Sequence, residues 1–80
     1  MDIHNLVHMA NQIGSFFASN PDPAEASGEI ANHLKRYWAP RMRIQLLDYV
    51  DQDKGEGLSP EALAAILAHR GLLDPRTPAA

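Results

Sequence analysis

Cysteine is absent from this 80-residue chain. Disulfides and thiolate metal sites are therefore excluded, and four histidines are left as nitrogen ligands. Asp, Glu, Lys and Arg are also missing from Ile3 to Pro21. That run is long enough to raise a membrane span, but His4, Asn5, His8, Asn11, Gln12 and Ser15 interrupt it. Only Met1-Asp2 stands before it, without the basic start of a secretory signal, so the expectation is a cytoplasmic protein with no membrane partner. No internal repeat and no low-complexity segment occurs. The glycines do not follow a strand pattern, as a phosphate-binding loop requires. No Ser or Thr stands near a His in a recognisable nucleophile context, and the acids fall on loops and exposed faces. The expectation is that the chain is no enzyme by itself.

Size sets the next limit. A single core in so short a chain usually supplies only ~3–5 kcal/mol unless a disulfide, a metal or a partner adds to it. Dependence on another chain is thus a serious option before any motif is considered. The net charge is −3, from seven bases and ten acids, but it is unevenly spread. Lys35, Arg36, Arg41 and Arg43 lie within nine residues, and no acid falls between Ile30 and Leu47. A mildly acidic chain argues against general affinity for nucleic acid, while the local basic patch argues for one directed contact.

Hydrophobic spacing predicts an all-α fold: a small bundle of about four helices, with a proline-marked corner between the second and the third. One helical domain is expected over residues 1–73, and a frayed, disordered tail over 74–80. The first helix is expected over about residues 3–18 with Asp2 as N-cap. Ile3, Leu6, Val7, Ala10, Ile13, Gly14 and Phe17 form its apolar stripe. Met9 and Phe16 widen that stripe to roughly half the circumference, as core or as partner contacts. Asp22, Pro23 and Glu25 make a capping-box start for the second helix. Ala26, Ser27, Ile30, Ala31, Leu34, Tyr37 and Trp38 share its apolar face, with His33 at the border. A border histidine is more often a hydrogen-bond partner than a metal ligand.

The third helix is expected over about residues 40–50 and the fourth over about 60–70. In the fourth, Ser59 is the cap, Leu58 packs on Leu63 as a staple, and Leu63, Ile66 and Leu67 face the core. Gly71 is its stop signal, with Leu72 folding back on Leu67. The loop that begins at Asp51 fails the EF-hand pattern. Gly55 gives no side chain at the fifth position, Glu56 replaces the glycine at the sixth, and Ala62 stands where a glutamate is required. His4 and His8 have a ligand-like spacing, but at the frayed start of the chain.

The stretch Trp38-Ala39-Pro40-Arg41-Met42-Arg43 organises the rest. A residue before proline is pushed out of the helical region, and proline suits the first turn of a new helix. Arg41 and Arg43 then sit where the helix dipole is positive, at a cost of roughly 0.3–1 kcal/mol each. Arg41 points to the polar side. Arg43 falls within the apolar arc of Met42, Leu46, Leu47, Tyr49 and Val50. There it either snorkels to water, pairs with an acid of its own domain, or meets a partner. Two classes of function follow. One is a protein-interaction subunit that uses the corner and the flank of the first helix. The alternative is a small helical nucleic-acid-binding or regulatory protein that uses segment 35–43, although a third helix of Leu, Tyr and Val lacks base-reading residues.

Met9-Ala10-Asn11-Gln12-Ile13 with Phe16-Phe17, then Ile30-Ala31, His33-Leu34, Tyr37-Trp38 and Pro40-Arg41-Met42-Arg43, then Leu46-Leu47 and Gly57-Leu58-Ser59-Pro60 form a specific combination. Over about residues 5–65 it resembles the delta subunit of NAD-dependent, molybdenum-containing formate dehydrogenases. The resemblance implies a non-catalytic accessory subunit, bound to the large molybdenum subunit for structural support or for cofactor insertion and assembly. It implies no cofactor in this chain. Molybdopterin guanine dinucleotide, iron–sulfur clusters, FMN and NAD are expected on other subunits. The partner-binding candidates are Trp38, Arg41, Arg43, Met9, Phe16, Asn11, Gln12 and His33, and a homodimer is an option for the isolated chain.

Overall fold

The four longer helices each start where the sequence places an acceptor or a proline. In the computed structural model, which describes residues 2–77, Asp2 accepts from His4 N at 3.0 Å and opens α1 (Ile3–Phe17). Asp22 accepts from Ala24 N and Glu25 N to open α2 (Pro23–Tyr37). The return bond of a capping box is replaced by one from Asp22 N to Asn20 Oδ1 at 3.0 Å. Pro40 begins α3 (Pro40–Asp53), whose N-cap Ala39 offers no side-chain bond. Ser59 accepts from Ala62 N and opens α4 (Pro60–Ala68). One further turn, α5 (Arg70–Leu73), follows. The described residues contain no strand, and the fold is all-α as expected.

α2 packs on both α1 and α4, α1 also meets α3 and α4, and α5 closes against α2, α3 and α4. The core is built from Leu6, Ile30, Leu34, Leu46, Leu47, Ile66 and Leu73, all fully buried. α1 approaches α4 closely at Gly14, where an added Cβ would lie 3.4 Å from Ala62 Cβ and from Ser59 Oγ. Asn11 fastens the same joint. Its amide donates to Gly57 O at 2.9 Å, and its Oδ1 accepts from Ser59 N at 2.8 Å. The half-buried Asn11 side chain thus ties α1 to the start of α4.

Two helix ends differ from the sequence expectation, and one turn is added. α3 continues three residues beyond Val50, until Lys54 takes the left-handed conformation (φ 59°) and Gly55 follows it (φ 68°). Any side chain on Gly55 would strike Leu63 Cδ1 at 2.9 Å, so Leu58 and Leu63 close over a position that only glycine fills. The Tyr49 hydroxyl donates to Glu56 O at 2.6 Å across this turn. Partial desolvation, then the Glu56 and Asp53 carboxylates, keep that phenol protonated above its ordinary range. α4 stops at Ala68, not Arg70, because His69 (φ −118°, ψ 29°) breaks the ladder. The new turn sends Leu73 into the core. Leu67 (54 % exposed) and Leu72 (43 % exposed), expected to pack inward and on each other, stay at the surface.

Arg43 resolves the misplaced charge of the corner. Its guanidinium lies within the fold, with the residue 6 % exposed. Nε donates to Trp38 O at 3.3 Å and NH1 to Leu73 O at 3.0 Å. Trp38 is the C-cap of α2 and Leu73 the last residue of α5. One cation therefore serves carbonyls at two helix ends, where the backbone has no intrahelical donor and carries partial negative charge. Charge-assisted bonds contribute about 1.5–3 kcal/mol each, more than the roughly 0.3–1 kcal/mol lost at the start of α3. Among the described residues no acid pairs with it, and its burial closes the snorkelling path to water.

Beyond α5, residues 74–77 form a turn. The Asp74 carboxylate accepts from Arg76 N at 2.8 Å and from Arg76 Nε at 2.9 Å, while Arg76 NH2 reaches Asp48 at 3.3 Å. The side-chain and then the backbone bond from Arg76 hold the Asp74 carboxyl below the usual carboxylate range. Arg70 pairs with Asp51. Residues 78–80 of the expected tail lie outside the described residues.

Two outcomes follow. Replacing Arg43 by Ala removes both bonds and opens a void, and urea denaturation should show a loss of about 3 kcal/mol, with Arg43→Met losing less. A depressed carboxyl stabilises only while ionised. The Asp74–Arg76 anchor is therefore fully present above the ordinary Asp range and fades as pH falls through the lowered value. An NMR acid titration should show the Arg76 Nε signal moving together with the Asp74 carboxyl.

Candidate functional site

Tyr37 and Trp38 are adjacent, so about 100° separates them on a helix and both cannot centre one buried face. The chain settles this by leaving α2 at Trp38, whose ψ of 133° turns the indole inward. Trp38 is 5 % exposed and Tyr37 is 67 % exposed. The expectation that both rings share the buried face therefore fails for Tyr37. Trp38 itself is mostly enclosed by its own chain, not displayed as a contact.

Turning Tyr37 outward opens an apolar cleft of about 600 Å³. α1 supplies Met9, Gln12, Ile13, Phe16 and Phe17 along one wall. α2 supplies His33 and Tyr37, and the corner closes the cleft with Trp38 and Met42. Four rings run along it. Phe16 meets Phe17 edge-on at 5.0 Å, Phe17 meets His33 at 5.9 Å, and His33 lies 4.7 Å from Tyr37. His33 is thus held among rings and not by a side-chain hydrogen bond. Phe16 has 73 % of its surface open to solvent, which separates it from Met9, half-buried against the core.

The structure gathers four of the eight partner-binding candidates at this cleft in usable positions: Met9, Gln12, Phe16 and His33. Trp38 contributes only a little of its surface. Arg43 is buried and makes internal bonds, and the half-buried Asn11 bonds Gly57 and Ser59 of its own chain. Arg41 is exposed beside Met42, the cleft residue that follows it in the chain. Sequence reasoning missed Tyr37 as a site residue and read Ile13, Phe17 and Met42 only as core. The adjacency of Tyr37 to Trp38, just ahead of a proline corner, is the signal that identifies it.

The cleft holds no arrangement for bond-making chemistry. Its only titratable side chains are His33 and Tyr37, with no nucleophile or carboxylate beside them. Among the described residues, no cluster of three or more His, Asp or Glu is placed to share a metal ion, and no helix is long and apolar enough to cross a membrane. Lys35, Arg36 and Arg41 are exposed, and none forms an ion pair among the described residues. With Arg43 withdrawn, three of the four cations of segment 35–43 face outward.

The family model described as NADH-dependent formate dehydrogenase delta subunit FdsD matches residues 5–66. No curated protein and no solved structure matches the chain. The matched span takes in α2 and α3 and most of α1 and α4, including every residue of the cleft. The chain belongs to this family of formate dehydrogenase delta subunits.

Phe16 and Tyr37 are open to solvent, and their loss should leave folding almost unchanged. The Phe16→Ala/Tyr37→Ala double variant is expected within about 0.5 kcal/mol of the parent by urea denaturation, as for ordinary surface substitutions.

Proposed function

We propose that this member of the delta-subunit family is a non-catalytic subunit that docks on the large molybdenum-carrying subunit of formate dehydrogenase through the Phe16–Tyr37 cleft. The observation that carries the reading is the open aromatic cleft in a chain of 80 residues. Two large rings left in water on either side of an apolar trough suit a partner contact better than a free surface. Aromatic and methionine side chains are also the types enriched where proteins meet.

The redox chemistry belongs to other chains in this account. A subunit without cysteine supplies no thiolate to an iron–sulfur cluster, and no Lys or Arg lines the cleft itself to hold a dinucleotide pyrophosphate. Molybdopterin guanine dinucleotide, FMN and NAD are assigned to the larger subunits on the same reasoning. What the delta subunit contributes is a docked surface, either as a lasting brace or as an aid while the molybdenum cofactor is inserted.

Native mass spectrometry of the complex, co-expressed with the parent chain, with the Phe16→Ala/Tyr37→Ala variant or without the chain, tests the reading. The parent should be retained at fixed stoichiometry and the variant lost, with molybdenum measured on each sample. Lower molybdenum without the chain indicates assembly, and unchanged molybdenum with lower complex stability indicates bracing. Retention of the variant at parental stoichiometry would contradict docking through the cleft.

A further inference from the structure

The walls of the cleft are apolar, but its margin is not neutral. A shallow depression shares Phe17, His33 and Tyr37 with the cleft and is edged by Arg36. Arg41 stands next to Met42 at the other side of the corner, and Lys35 precedes Arg36. These three cations have no ion-pair partner among the described residues, whereas Arg70 and Arg76 are both paired with acids of the chain. The shortage is built into the sequence, because no acid lies between Ile30 and Leu47. The nearest acid before that window, Glu29, also edges the depression, where its Oε1 accepts from the Asn20 amide at 2.6 Å, and the three cations outnumber it.

Resting on the docking role proposed above, we infer that the occupant of the cleft is an amphipathic segment of a partner protein that carries carboxylates beside its apolar anchors. About 600 Å³ lies in the range that takes a few large side chains rather than a whole domain face. Apolar anchors entering a groove supply affinity, while charges at the rim set partner choice and approach. Carboxylates fit the rim of this cleft, since Arg36, at the depression that shares three residues with it, presents a guanidinium fork that matches them, with Lys35 and Arg41 exposed nearby in the chain.

A second copy of the chain fits poorly. A two-fold contact repeats one patch on both sides, so it would set two sets of unpaired cations against each other. Of the acids on α3, Asp48 and Asp51 are engaged by Arg76 and Arg70, which leaves Asp53 at the far end of the helix from Arg41.

The test is a titration of the fluorescently labelled chain onto the formate dehydrogenase complex purified from cells that lack the chain. Parent, Arg36→Glu/Arg41→Glu and Phe16→Ala/Tyr37→Ala are compared at low and at high NaCl. Charge reversal should weaken binding at least ~10-fold at low salt, and added salt should weaken the parent but not the charge-reversed chain. The cleft variant should bind more weakly yet keep the parent's salt dependence. If the cleft variant is impaired but neither charge reversal nor salt has an effect, the acidic occupant is wrong and the docking role survives. If the cleft variant binds like the parent, the docking role fails and this inference with it. Sedimentation of the isolated chain supplies the remaining arm. A dimer that Phe16→Ala/Tyr37→Ala dissolves would make a second copy the occupant and overturn the inference.

Discussion

The guanidinium of Arg43 ties the corner of the chain to its far end. It leaves the first turn of α3 and donates to Trp38 O and Leu73 O, two carbonyls at the C-terminal ends of α2 and α5. Taking an arginine out of water costs several kcal/mol, and only good partners offset that. Here the partners are backbone groups that would themselves be stranded in the core. Arginine suits the position because its fork reaches two acceptors lying in different directions and is weakly hydrated. A lysine at 43 would bring a single ammonium centre to the same place.

The shape of the cleft depends on this interaction. With its carbonyl held by Arg43, Trp38 turns into the core between α2 and α3, and its neighbour Tyr37 is carried outward. His33 and Phe17 then bridge Tyr37 to Phe16, so that the rings continue from one helix to the next. The same anchor draws Leu73 inward, and the turn after it is held to α3 through Arg76 and Asp48. On the opposite side of α1, Asn11 and Gly14 fix the helix to α4 and its cap. α1 therefore has one face locked to the body of the protein and another left to the cleft. The rigid face gives the open face a defined position, which lowers the ordering cost of docking.

The helices were legible because their signals are local. Asp2, Asp22 with Pro23, Pro40, and Ser59 with Pro60 mark starts through geometry that needs no tertiary context. The ends were less legible. Gly71 is a sound stop signal by itself, yet the chain breaks earlier, at His69, to bring Leu73 to Arg43. That choice depends on a residue thirty positions away. The site was half legible for a similar reason. The over-wide arc of α1 pointed to Met9 and Phe16, which line the cleft, but periodicity alone assigned Tyr37 to the core. Arg43 stood out as a charge on an apolar face. Its partners are main-chain carbonyls, which carry no side-chain signature, so the sequence left its role open.

The braced body leaves one face open, the α1–α2 cleft, which is the docking face proposed for the formate dehydrogenase complex. Hydrogen–deuterium exchange measured on the chain alone and within the complex tests it most directly. New protection on binding should be confined to the α1 segment from Met9 to Phe17 and to the end of α2 through Tyr37. Amides around Leu46 and Leu73 should be protected equally in both states. Protection that appears instead on α4, around the exposed Leu67, with the cleft segments unchanged, would contradict the account.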